Sequence, residues 1–82
     1  MSELLKLTRF QFESLAEYLN CHSVYKTARH LHLTPSSVYA DLESVYRVIG
    51  LNPVKKEDRE ALTKMLEELR EEAKRGEENQ GT

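Results

Sequence analysis

Tryptophan is absent from this chain of 82 residues, cysteine occurs once, proline twice and glycine three times. Each shortage excludes something. A single cysteine, Cys21, cannot close a disulfide within the chain, which removes the disulfide-stapled secreted scaffolds and makes a reducing, cytoplasmic setting the expectation. Few breakers leave long stretches open to uninterrupted helix. No apolar run approaches the roughly 20 residues that cross a bilayer, and the first residues lack the basic, apolar and small-residue order of a secretion signal, so no membrane partner is expected. No recognisable strand pattern, repeat or low-complexity segment occurs. Catalysis finds no support either: there is no glycine-rich phosphate loop, no nucleophile in a recognisable setting, and the Asp and Glu residues fall mostly on solvent-facing helical positions. Neither an enzyme nor a cofactor is expected.

An excess of one charge sign is also missing, the formal net charge being −2. The balance is uneven along the chain. Residues 1–52 hold five basic and five acidic side chains, residues 53–82 seven and nine. Charge alone therefore does not announce a nucleic-acid partner. The length allows one small domain, near the size at which a single core supplies only about 3 to 5 kcal/mol and association of copies often helps.

What is present centres on Val24 to Leu42, VYKTARHLHLTPSSVYADL, which reads as two short helices joined by a tight turn. Ala28 is small where two helices must cross closely, Leu31 and Leu33 bracket the turn, and Val38 and Leu42 continue the apolar set. Thr34 followed by Pro35 opens the second helix, because Thr accepts a hydrogen bond from an orphan N–H and Pro at the first helical position lacks a donor that would be unpaired anyway. Ser23 caps the first helix in the same way. His32 stands at the turn position where many such motifs carry glycine; a positive φ there is tolerated by His at some cost. These features predict a DNA-reading helix-turn-helix, with its second helix in the major groove.

Around this motif the chain divides into helices by apolar periodicity. A first helix is predicted over Arg9 to Leu19, capped by Thr8, with Phe12, Leu15, Ala16 and Leu19 inward and Phe10 and Tyr18 to the side. A second runs from Val24 to about Leu31. A third runs from Pro35 to Ile49, with Val38, Leu42, Val45 and Ile49 inward and Gly50 as its left-handed stop. The last begins near Pro53 or Glu57 and reaches Arg75. The fold class is all-α: a helix-turn-helix core of three helices over residues 1–52, a long C-terminal helix over 53–75, and a disordered tail over 76–82.

The stretch from Leu7 to Gly50 resembles the GerE/LuxR-type DNA-binding domain without a gap: Leu7-Thr8, then Glu13 and Leu15, then LHLTPSSV and L-x-x-V-Y-R-x-I-G. Ser23 to Gly50 is also similar to the winged helix-turn-helix of LysR-type regulators. The two families differ after the terminal Gly, LysR-type domains adding a β-wing and GerE-type domains going directly into a fourth helix. No strand-like pair follows Gly50, which favours the GerE type. The resemblance implies a small transcriptional regulator that binds double-stranded DNA as a homodimer.

On that reading Ser36, Ser37 and Tyr39 reach base edges or nearby phosphates, Ala40 meets a thymine methyl and Glu43 accepts from a cytosine amine. Lys26, Arg29 and Arg47 position the phosphate backbone, with Thr34 at the entrance of the helix. The plain alternatives are a surface aromatic for Tyr39 and simple solvation for Glu43. Tyr39, Asp41, Glu43 and Val48 make the recognition helix short of cations, which weakens binding by one copy. Leu62, Leu66, Leu69 and Ala73, with Met65 beside them, form an a/d-like seam with two readings, packing back on its own domain or pairing with a second copy. Small size and the GerE-like fourth helix favour pairing, which would hold two recognition helices about 34 to 36 Å apart on an inverted repeat. Cys21, His22, His30 and His32 cluster in sequence, but not at the paired spacing of structural zinc ligands, and no metal is expected. The alternative function is a protein-interaction module on the same scaffold, binding another regulator or a polymerase subunit. A basic stripe from Lys26 and Arg29 to Arg47 would favour DNA, and an exposed apolar patch around Tyr39 would favour protein.

Overall fold

Side-chain caps set the helix boundaries. In the computed structural model, which describes residues 2–80 and side chains over 2–75, a short 3₁₀ turn over Glu3–Lys6 comes first, with Ser2 Oγ accepting from the Leu4 amide. Thr8 then opens α1, Arg9–Cys21, through a reciprocal box. Its hydroxyl accepts from the Gln11 amide at 3.2 Å, while Gln11 Oε1 accepts from the Thr8 amide at 3.0 Å. Ser23 caps α2, Val24–Leu31, and Thr34 caps α3, Pro35–Ile49, each accepting from the amide three residues on. The last helix, α4, covers Lys56–Gln80. The described residues contain no strand, and none of their helices is long and apolar enough to cross a membrane.

Three helix ends are left-handed. Gly50 (φ 86°) stops α3 by donating its N–H to Tyr46, as its position predicts. The other two are histidines. His32 (φ 58°) follows α2, with the Leu33 amide reaching back to the Ala28 carbonyl at 2.8 Å, the six-to-one bond of a Schellman turn. His22 (φ 56°) ends α1 in the same conformation, its amide bonded to the Tyr18 carbonyl at 2.7 Å. It carries α1 two residues beyond the expected Leu19.

The core joins all four helices. Leu15, Tyr18 and Leu19 of α1 meet Val24 and Ala28 of α2 and Val38, Leu42 and Val45 of α3, while Leu4 from the 3₁₀ turn fills the space beside α3. Tyr18, expected at the side of α1, is buried. The reason is that α1 is covered by all three other α-helices. Its Ser14 edge faces α3, and Ala16 and Leu19 face α4. The buried arc is therefore wider than one partner would make it, leaving Phe12 and Ala16 half-buried and Phe10 exposed.

The seam of α4 points inward, the less favoured of its two readings. Leu62 is 0% exposed and Leu66 5%, both within the single core, with Met65 and Leu69 packed on it and Ala73 exposed. α4 rests chiefly on α1. These leucines close the outer side of α1, so α4 packs into the same core as the first three helices. The start of α4 also differs. Asn52 accepts from the Val54 amide through Oδ1 (3.1 Å) and from the Lys55 amide through its carbonyl (3.0 Å), so Pro53 lies buried in a turn and the helix begins at Lys56. At the far end helix replaces the expected tail through Gln80, because Gly76 costs a helix only about 1 kcal/mol and does not break it; residues 81–82 lie outside the described residues.

Candidate nucleic-acid interface

The α2–turn–α3 unit is assembled locally. Pro35 has no amide hydrogen to satisfy, the Ser37 amide is taken by Thr34 Oγ1 and the Val38 amide by the Thr34 carbonyl. That leaves the Ser36 N–H as the open donor of the first turn, at the positive end of the helix dipole, where an anion is favoured. No acidic residue sits in that turn.

The outward side of α3 separates into two surfaces. At about 100° per residue, Ser36, Ala40 and Arg47 fall within about 40° of one another, opposite the buried line of Val38, Leu42 and Val45. All three are exposed. Tyr39 and Tyr46 stand on the flank next to the Gly50–Lys55 loop, and Glu43 lies between strip and flank. Ser37 is exposed on the other side, its hydroxyl 3.0 Å from that of Thr34. Lys26 and Arg29 are exposed on α2, and neither has an ion-pair partner among the described residues.

Asp41 does not add an acid to the outer face. It is turned towards α1, where its Oδ2 accepts from the buried Ser14 hydroxyl at 2.5 Å. The carboxylate counted against DNA binding is thus an interhelical lock. Glu43 does face out, but Arg47 Nη2 holds it at 2.7 Å across one helical turn. At 73% and 64% side-chain exposure such a pair contributes only about 0.3 to 0.5 kcal/mol, so Arg47 can be drawn to a phosphate.

The Cys21 and histidine cluster is dispersed into separate roles. His30 Nδ1 meets Glu17 Oε1 at 2.6 Å, tying α2 to α1. Cys21 Sγ lies 3.2 Å from the buried Thr27 hydroxyl. His22 and His32 are the two left-handed helix ends.

Two features of this face were not among the expected site residues. Tyr25, exposed beside Lys26, is one. The other is the pair Tyr46 and Val54, which joins Tyr39 and Glu43 around a cleft; the seven-residue spacing of Tyr39 and Tyr46 was the available signal, whereas Val54 arrives through the loop. No protein-family model, curated protein or solved structure matches the chain.

Proposed function

We propose that the chain is a transcriptional regulator that binds duplex DNA, with α3 in the major groove. The observation that supports this best is the α2–Schellman turn–α3 unit, which leaves the first turn of α3 projecting with small polar side chains and an open Ser36 amide. Ser36 and Ala40 face the bases, Ser37 and Thr34 lie at the groove edge, and Lys26, Arg29 and Arg47 take phosphates. Glu43 and Tyr39 border this strip. Their part in base reading is secondary to that of Ser36 and Ala40.

Two copies on an inverted repeat would stand at half-sites one helical turn apart, and any contact between them would use surfaces other than Leu62 and Leu66, which are spent inside each chain. A reducing cytoplasm, suited to the unpaired Cys21, is the compartment that belongs to this reading.

Anisotropy titration against mixed genomic duplex fragments tests it. Three phosphate contacts per chain give a log–log salt slope of about −2.7, a loss of about 40-fold in affinity per chain between about 50 and 200 mM salt. Arg29→Ala with Arg47→Ala should flatten that slope to about −0.9. A well-folded chain that fails to bind at the lower salt, or a slope indifferent to both arginines, refutes the proposal.

A further inference from the structure

The flank of α3 beside the DNA strip is apolar. Tyr39, Tyr46 and Val54 are 53%, 50% and 51% exposed, and together with Leu42 they surround a cleft of about 360 Å³ bordered by Glu43 and Asn52. The second wall is built rather than incidental. Asn52 bonds the Val54 and Lys55 amides, and its own amide donates to Asp58 Oδ2 at 2.9 Å, so Val54 is held outward by a hydrogen-bonded turn over buried Pro53. A preformed wall loses little conformational freedom on binding.

We propose that this cleft docks the apolar face of an amphipathic helix from a partner protein, with a Lys or Arg of that helix set against Glu43. Charge selects the occupant. Glu43 is the one charged side chain lining the cleft. Its pair with Arg47 is exposed and worth little, so when Arg47 turns to a phosphate the carboxylate is left to attract a cation of the partner and to repel an anion. The dimensions agree: Tyr39 and Tyr46 are seven residues apart on α3, about 10.5 Å, the span of anchors at i and i+7 on a docked helix. A second copy fits less well, because three half-exposed side chains fall far short of the about 800 Å² per partner found in standard stable interfaces.

The probe is a displayed library of helical peptides randomised along one face, selected against the whole chain, with enriched sequences synthesised and titrated by anisotropy. The enriched peptides should carry apolar anchors at i, i+3 or i+4, and i+7, with a flanking Lys or Arg. Tyr46→Ser with Val54→Ser, both half-exposed and checked for helicity by circular dichroism, should weaken their binding about tenfold or more while leaving DNA affinity within about twofold. Glu43→Lys should turn the preference towards acidic peptides. The proposal is overturned if selection yields no helical peptide, if the enriched peptides are acidic, or if the double variant binds them as before. It is equally overturned if the chain dimerises at high concentration and the double variant abolishes that, which would assign the cleft to a second copy. Because DNA binding is read separately on the same variants, failure here is distinguishable from failure of the regulator reading.

Discussion

Replacing Leu62 by Ala removes a side chain that is wholly buried between α4 and α1. Large-to-small changes of this kind cost about 2 to 5 kcal/mol, the lost transfer energy plus that of the cavity. A chain of 82 residues holds only about 4 to 12 kcal/mol in total. The expected loss, about 3 kcal/mol, should therefore lower the melting temperature by about 12 to 24 °C, at about 4 to 8 °C per kcal/mol for a domain of this size. What separates an internal leucine from an interfacial one is concentration. If Leu62 belonged to a pairing seam, a hundredfold dilution would remove about 2.7 kcal/mol of apparent stability from the wild type, and the melt would shift with it. A core position predicts superimposable wild-type melts across that range, a concentration-independent fall for Leu62→Ala, and almost no change for Ala73→Glu on the exposed end of the seam. Calorimetry at two concentrations, with sedimentation equilibrium alongside, is the assay. A wild-type transition that moves with concentration, and a Leu62→Ala chain that loses dimer mass, would refute the assignment of α4 to the core.

Other expectations concern the caps and the interhelical lock. Gly50→Ala should cost about 1 kcal/mol by chemical denaturation, through backbone strain alone, since no atom lies within 4 Å of where its Cβ would stand. His32→Gly should relieve similar strain (φ 58°) and, after the added freedom of the unfolded chain, gain about 0.5 kcal/mol; a loss instead would mean that the imidazole has a role beyond the turn. Thr34→Ala, which frees the Ser37 amide, should cost about 1 kcal/mol in the same measurement. Ser14→Ala removes the donor to Asp41 and should cost about 1 to 3 kcal/mol, and Asp41→Ala in that background should cost much less than it does alone.

The helices themselves were legible because their signals are local. Thr8, Ser23 and Thr34-Pro35 each place an oxygen or a missing donor where a helix must begin, and Gly50 supplies a left-handed residue where one must end; α2 and α3 begin and end as the sequence predicts. His22 was not legible as a helix end, since His adopts positive φ only when the next segment requires it. Periodicity likewise reports which residues share a face and is silent about what covers that face. Leu62 and Leu66 are on one stripe in either reading, and only the position of α1 decides between a partner copy and the chain's own core. Asp41 and Tyr18 depart from expectation for the same reason, because the helices that cover α1 lie elsewhere in the chain and the Ser14 hydroxyl that Asp41 meets is 27 residues away. On the candidate interface the exposed cations and the small residues of α3 could be read from spacing. The cleft could not, because Val54 reaches it only through the turn that Asn52 builds.

Both connections flanking α2 are made by histidine in the left-handed conformation, where glycine would be the less strained choice. A glycine at either hinge would enlarge the unfolded ensemble and loosen the native one, whereas His, with its Cβ, confines the backbone in both states. α2 is thereby held at fixed angles to α1 before and to α3 after it. If the surface binds as proposed above, it should meet its target as a rigid body. Its heat-capacity change on association should then follow the apolar area covered, without the further negative increment that accompanies segments that order themselves on contact.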